Sequence, residues 1–151
     1  MGVTNKGKSE HLGIVYRGAT PPSNFYMALV TEAHPPSATT NTLGDLTEIP
    51  AGNGYTAGGI SLNRDATDFD VLTEDDVNDR ALVQIRDIAW TATGGVLPAS
   101  GTGARWAVLT DDHATLASRK IYDSFDLVSN RIVSATQIIT LVDCEIRANE
   151  G

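Results

Sequence analysis

The sequence holds few of the residues from which disulfides, metal sites and membrane spans are built. Cys144 is the one cysteine among 151 residues, so no internal disulfide can form, and we expect a buried free thiol. No two of the three histidines have the spacing of a metal site. No apolar run approaches the ~20 residues of a membrane helix, and none follows the N-terminus as in a secretory signal. We therefore expect a soluble protein made in the cytosol, without membrane contact.

Basic residues are scarce as well. The chain has 11 Lys and Arg against 19 Asp and Glu, which gives a formal net charge of −8 and an isoelectric point near 4.6. Nucleic-acid binding needs a basic surface that neutralises phosphates. Because only the pair Lys6 and Lys8 indicates such a surface, we predict no nucleic-acid partner.

What the sequence does contain is the pattern of short β-strands. Residues 80–92 are rich in β-branched and aromatic side chains and lack Gly and Pro. Ile85 ends an apolar set of one parity, and Ile88 begins a set of the other. A β-bulge near Arg86 and Asp87 would move the buried face from one side of this strand to the other.

Other segments have the same character and are separated by turn residues. The fold class predicted from them is mainly β, a β-sandwich or barrel-like single domain with a short N-terminal helix and an extended N-terminal arm. Residues 1–24 are assigned to the arm and helix, and residues 25–151 to the β domain. The remaining predicted strands cover residues 24–31, 59–63, 69–73, 104–110, 120–128 and 137–147.

The N-terminal residues predict an arm followed by a helix. Residues 1–10 are polar and contain Gly, which is typical of an extended segment. A helix of about two turns is predicted over residues 9–18, with Ser9 as N-cap and Gly18 as the C-terminal stop. Such a helix is too short to be stable alone, so it must dock on this domain or on a neighbouring chain.

Two apolar surfaces are predicted to take part in association. Leu12, Val15 and Tyr16 share one face of the predicted helix. Residues 25–30 are apolar at both parities, which indicates a central strand or a strand covered by a partner. The polar connection over residues 34–59, with one helical turn near Leu43, has the length of a functional or partner-contacting loop.

Three segments have the composition of chemical sites but lack their context. Residues 2–9 match the spacing of a phosphate-binding P-loop, yet only Met1 precedes them, so no strand delivers the loop. The acidic residues within 65–79 could supply oxygen ligands to Ca²⁺, but they lack the EF-hand spacing. Asp-Asp-His at 111–113 is typical of an exposed turn. We predict a protein that is not an enzyme and has no cofactor, with calcium binding at 65–79 as an open alternative.

Five segments follow one another in an order typical of a known family. They are RGATPPSNFYMALVT (17–31), GNGY (52–55), SLNR (61–64), IAWTA (88–92) and RWAVLTDD (105–112). Together they resemble small structural proteins of tailed-bacteriophage virions, over roughly residues 4–147. These segments are packing and turn signatures and contain no catalytic motif.

The resemblance implies a virion protein at the capsid surface, made in the cytoplasm of a bacterial host. It implies a capsid decoration protein, typically a homotrimer, that stabilises the head by binding the major capsid protein. In this chain the arm with Asn5, Lys6 and Lys8 is the predicted capsid contact. The helix face defined above is the predicted surface for oligomerisation or docking. The alternatives are a tail, neck or fibre component and a β module that binds a host surface.

Overall fold

The structure is a computed structural model that describes residues 2–149. Met1 of the predicted arm and residues 150–151 of the predicted β domain lie outside the described residues. The predicted mainly β fold with one N-terminal helix is confirmed. The described chain contains α1 (Asn5–Arg17), β1 (Asn24–Val30), β2 (Ile60–Asn63), β3 (Val71–Asp75), β4 (Arg80–Ile85), β5 (Ile88–Thr91), β6 (Ala104–Thr110), β7 (Ile121–Arg131), β8 (Ile138–Leu141) and β9 (Cys144–Asn149).

The strands form three antiparallel sheets around one main core. The largest sheet has the order β2-β1-β6-β7, and the two smaller sheets are β3-β4-β9 and β5-β8. Every strand pair is antiparallel. Because all three sheets contribute apolar side chains to the same core, the domain is sandwich-like. The largest fully buried members of this core are Met27, Leu29, Leu62, Ile85, Ile88, Trp90, Leu97 and Leu109.

The predicted strand over residues 80–92 is two strands, β4 and β5, in different sheets. Two residues, 86–87, separate them, and the partner strands β9 and β8 are interrupted at the same level by residues 142–143. Ile85 and Ile88 nevertheless both face the main core, at 0% and 1% exposure. The predicted change of side near Arg86 is therefore confirmed. The predicted β-bulge and the single continuous strand are wrong, because the same number of residues, 86–87 and 142–143, is left unpaired on both segments.

Strand β1 has both faces buried within its own domain. Met27 and Leu29 face the main core, while Ala28 and Val30 face a second core on the other side of the sheet. The prediction of a central strand is confirmed. Its use as an association surface is wrong, because all four side chains are fully buried. The second core also contains Leu43, Leu46, Val108 and Ile121.

The connection between β1 and β2 supplies the cover of that second core. Its 3₁₀ turn at Leu43–Asp45 confirms the helical turn predicted there. Tyr55 fixes the loop, because its hydroxyl donates to Glu48 at 2.6 Å and accepts the Leu29 amide at 3.0 Å. Burial and the adjacent Glu48 carboxylate raise the pKa of Tyr55 well above its ordinary value, so the hydroxyl remains a donor.

The N-terminal helix begins earlier than the sequence predicted. It starts at Asn5 with Thr4 as the N-cap, rather than at Ser9, whereas the predicted stop at Gly18 is confirmed by a left-handed cap. Thr4 is fully buried: its amide donates to the Tyr122 carbonyl at 3.0 Å, and its hydroxyl donates to the Ile121 carbonyl. The predicted extended arm is therefore mostly helix, anchored on β7.

A close approach at Gly7 sets how α1 sits on the sheet. A Cβ at this position would lie 2.4 Å from the Tyr122 carbonyl oxygen, so only glycine fits without movement of the backbone. One turn further, Glu10 pairs with Lys120 at 2.9 Å and with Lys6 at 3.0 Å. The N-terminal half of α1 is thus held against the beginning of β7.

We predict that Gly7→Ala loosens α1 from the sheet, whereas Gly13→Ala does not. The first change should lower the free energy of unfolding by about 1–3 kcal/mol, because an added methyl group overpacks a backbone contact. At Gly13 a Cβ would meet the Ala19 methyl at an ordinary 3.6 Å, so helix propensity should stabilise that variant by up to about 1 kcal/mol. Urea unfolding of both variants measures the difference, and equal values would contradict the docking geometry.

Candidate functional site

The candidate site is the exposed stripe of α1, which is polar at its first turns and apolar at its last. Asn5 and Lys8 begin the stripe, and Leu12, Val15 and Tyr16 continue it at helical spacing. Leu12 and Val15 are 54% exposed and Tyr16 is 78% exposed. The structure therefore brings the predicted face together on one side of a helix and leaves it uncovered by the described chain.

The three residues predicted for the capsid-contact arm lie on the first turns of α1. The backbone N–H of Asn5 donates to the Ala38 carbonyl at 2.8 Å, which links this turn to the loop after β1. Lys6 is paired with Glu10, so its charge is partly used within the helix. Lys8 is exposed, on the same stripe as Leu12.

Helix α1 differs in charge from the rest of the protein. It contains three basic side chains, Lys6, Lys8 and Arg17, and one acidic side chain, Glu10, a formal charge of +2. Since the whole chain carries −8, the remainder carries −10. An exposed basic helix on an acidic body favours an acidic partner surface.

The segment Asp-Asp-His at 111–113 is structural. Asp111 is buried and accepts the Lys120 amide at 3.0 Å. Asp112 accepts the amides of Ser23 and Asn24 at 2.9 and 3.2 Å, so it fixes the chain between α1 and β1. These carboxylates accept backbone amides from other segments of the chain and so hold those segments together.

Two carboxylates of the acidic stretch over residues 65–79 form ion pairs within the protein. Asp68 forms an ion pair with Arg86, and Asp75 forms one with Arg80 at 2.8 Å. Within residues 2–149, no group of three or more His, Cys, Asp or Glu side chains is arranged to hold a metal ion. The described residues of this stretch therefore contain no preformed cluster of ligands for calcium.

Cys144 lies buried at the start of β9, which confirms the buried free thiol predicted from the sequence. Burial raises the pKa of this thiol to about 12, and the carboxylates of Asp123, Asp143 and Asp87 add to the effect. Because the thiolate is the reactive form, a thiol with this pKa is chemically inert at neutral pH.

A second exposed apolar surface, missed by the sequence analysis, lies between β7 and β8. It is a groove of about 510 Å³, called here the β7–β8 groove, and residues 126–128, 130–133 and 138–142 line it. Consecutive strand residues point to opposite faces, so a groove lined by five in a row runs along the edge of β8. The exposed apolar side chains at this groove are Val128, Ile132, Ile138 and Val142, between 51% and 80% exposed.

Val128 carries an unusual backbone conformation in this groove. Its φ is +68°, a region that β-branched residues rarely adopt, and its side chain is 80% exposed. Such a conformation costs on the order of 1–3 kcal/mol. Val128 lies where β7 bulges out of register with β6, between the pairs Trp106–Asp126 and Ala104–Arg131, so its conformation belongs to this bulge. The one signal of this groove in the sequence is that apolar residues continue beyond the end predicted for the strand that is β7.

Asp123 is a buried carboxylate on β7, 1% exposed. One oxygen accepts the Ser124 amide at 2.6 Å, and the other has no hydrogen-bond partner in the described part of the chain. Burial raises the pKa of Asp123 to about 7, although the Ser124 hydrogen bond opposes this. Asp123 does not line the β7–β8 groove, and we assign its effect to stability.

We predict that Asp123→Asn stabilises the protein above pH 7 and not below pH 4. A carboxyl whose pKa is raised by folding costs nothing while it is protonated in both states, and its cost grows as pH rises from about 4 to about 7. A rise from 3.8 to about 7 corresponds to roughly 4 kcal/mol. Thermal unfolding of both proteins across this range measures the difference, which should reach its full size near pH 8.

Asp68→Asn serves as the control of opposite sign. Burial opposes ionisation of Asp68, but hydrogen bonds from Arg86 and from the Asn63 amide outweigh it and lower the pKa. The stability that this carboxylate provides is therefore present above pH 4 and lost as pH falls, so the variant should be weaker than the wild type at neutral pH. A loss of stability in Asp123→Asn at pH 8 would contradict the burial argument.

Comparison with known proteins assigns no family to this fold and site. No family model, no curated protein and no solved structure matches the chain. Among the described residues, no helix has the length and apolar character required to cross a membrane. The surfaces described above and the resemblance in the sequence therefore supply the evidence on function.

Proposed function

We propose that this chain is a structural protein of a tailed-bacteriophage virion, a capsid decoration protein that binds the major capsid protein and stabilises the head. One observation carries the proposal: a helix docked on a β body by its first turns presents an exposed stripe that is basic at one end and apolar at the other. A decoration protein needs such an exposed attachment element on a body that stays folded.

The polar part of the stripe is the proposed shell contact. Asn5, Lys6 and Lys8 lie on turns that Thr4 and Gly7 fix to β7. A fixed helix loses less conformational entropy on binding than a free arm would, which favours affinity per contact. Each bound copy lowers the free energy of the intact shell by mass action, so many copies stabilise the head.

The packing of the long loop after β1 supports head decoration over loop display by a tail or fibre component. A displayed loop should be exposed and free to contact a host surface. In this chain Leu43, Leu46, Ile49 and Tyr55 of that loop are buried against the sheet. The loop serves the core, which leaves α1 as the more accessible element.

We predict that Lys8→Glu weakens binding to phage heads, whereas Arg64→Glu does not. Both side chains are exposed and both changes reverse one charge, but only Lys8 lies on α1. A like-charge contact with an acidic shell surface should weaken affinity about tenfold or more. Co-sedimentation of each purified variant with heads assembled without this chain measures the effect.

The location and copy number on the virion provide the second arm of this test. Quantitative mass spectrometry of purified virions should find about as many copies as a decorated capsid lattice requires, and antibody labelling should mark the head. A small number of copies confined to the tail or neck would overturn the decoration proposal. Equal binding by both charge variants would remove α1 from the attachment surface.

A further inference from the structure

One face of the β3-β4-β9 sheet begins in the main core and continues outside it. Residues paired across antiparallel strands point to the same side of a sheet, and so do alternate residues of one strand. Ile85 and Cys144 are such a pair inside the main core, and Ile146 packs against that core on the same side. Further from the core, the exposed side chains on this side are Leu72, Glu74, Ala81 and Ala148. We name this set of four the open β3 face.

The open β3 face is mostly apolar and concave. All four of its members line one open concavity of about 700 Å³, whose other lining residues are Thr73, Asp76, Asp79 and Arg80. Leu72 is the largest apolar side chain there and is 81% exposed. The sheet therefore has an apolar side that is covered by the core at one end and uncovered at the other. Uncovered apolar surface of this kind usually marks an interaction site.

The charge around this concavity is negative. Glu74, Asp76 and Asp79 line it, and none of the three forms an ion pair within residues 2–149. Arg80 lines it as well, but its Nε lies 2.8 Å from a carboxylate oxygen of Asp75, which offsets its charge. The three remaining carboxylates attract a basic partner surface.

The β7–β8 groove has no comparable surplus of negative charge. Its one lining carboxylate, Asp126, is paired with Arg105, and Arg131 lines the groove as well. Both concave surfaces expose apolar side chains, so charge decides which of them a basic partner prefers. Such a partner is attracted to the open β3 face and not to the β7–β8 groove.

Helix α1 carries the complementary surface. The apolar side chains of its exposed stripe are Leu12, Val15 and Tyr16. Arg17 is exposed in the last turn and forms no ion pair in the described part of the chain. Thr4 and Gly7 fix the opposite side of the helix to β7, so the stripe is turned away from its own body. Every copy thus presents an apolar, basic helix and an apolar, acidic sheet face.

We propose that the apolar part of the α1 stripe docks on the open β3 face of a second copy, with Arg17 beside the carboxylates of that face. A helix against a sheet is an ordinary packing of two layers. Tyr16, at 78% exposure, is the aromatic anchor. A stable interface buries about 800 Å² per partner, a tenth of the 8012 Å² surface of this chain.

The two surfaces are unlike, which sets the form of the assembly. A contact between unlike surfaces passes from copy to copy and closes into a ring if the rotation allows it. The polar end of the stripe, with Asn5, Lys6 and Lys8, remains exposed for the shell. The contact rests on the proposed function only for this setting on the virion.

Matched substitutions test the contact on the purified chain without a shell. The wild type should self-associate in sedimentation equilibrium at micromolar concentration. Leu72→Gln should weaken association about tenfold, because an amide at an apolar contact loses its water without gaining a partner. Leu12→Gln with Val15→Gln should do the same from the helix side. Ile138→Gln is the control, since it places the same amide at an exposed apolar position of the β7–β8 groove.

These variants separate the two possible acceptor surfaces. Weaker association of Leu72→Gln, with Ile138→Gln unchanged, supports the open β3 face. The reverse result would move the helix to the β7–β8 groove and overturn the contact proposed. An equal effect of both changes, or a wild type that is monomeric at every concentration, would also overturn it.

A charge exchange tests the pairing of the two surfaces. Arg17→Glu and Glu74→Arg should each weaken association about tenfold, since each brings like charges together across the contact. One chain with both changes should regain most of the lost affinity, because opposite charges face each other again. Both side chains are exposed, and a misfolded variant could not restore association. A double variant that associates no more tightly than the single ones would show the pairing to be wrong.

Binding to phage heads is measured separately, with Lys8→Glu and Arg64→Glu. A chain that stays monomeric in solution and still binds heads overturns the contact between copies and leaves the decoration proposal standing. A chain that associates through α1 and the open β3 face but does not bind heads has the opposite meaning.

Discussion

The burial of both faces of β1 is the constraint from which the arrangement of the domain follows. A strand with Met27 and Leu29 on one side and Ala28 and Val30 on the other needs two covers. The smaller sheets supply one, and the loop before β2 supplies the other, held by Tyr55 and Glu48. Because this loop is committed to the core, the exposed apolar surface that remains is concentrated outside it, on α1, along β7 and β8, and near β3.

The contact between Gly7 and the backbone of β7 fixes the position of α1 on the sheet. A larger side chain at that position would push the helix off the sheet, since its Cβ would overlap the Tyr122 carbonyl. With glycine, Thr4 can cap the helix and bond to Ile121 at the same time. The position of the helix on the sheet, and therefore which of its faces stays exposed, depends on these few contacts.

The sequence predicts those features that depend on neighbouring residues. The strands over 24–31 and 104–110, the stop at Gly18 and the parity change near Arg86 all follow from local pattern, and the structure contains them. The helix start could not be predicted, because Thr4 is a cap whose hydroxyl also needs the Ile121 carbonyl, 117 residues away in sequence. Without that partner, Ser9 is an equally suitable N-cap in the sequence.

The groove escaped prediction for the same reason. Residues 126–128, 130–133 and 138–142 become one surface only after β7 pairs with β6 and β8 pairs with β5, leaving two unpaired edges side by side. The face of Leu12, Val15 and Tyr16, by contrast, is defined within one helix, so its spacing was sufficient. Surfaces built within one element can be predicted from periodicity, and surfaces built between elements require the topology.

Charge explains how a chain with an open apolar edge avoids indiscriminate self-association. Sheet edges aggregate when two of them meet, and the body that carries the β8 edge has a formal charge of −10, so edge-to-edge encounters between bodies are repelled. The basic α1 is the exception to that repulsion, and its apolar stripe is helical, so it has no unpaired strand edge to extend a sheet.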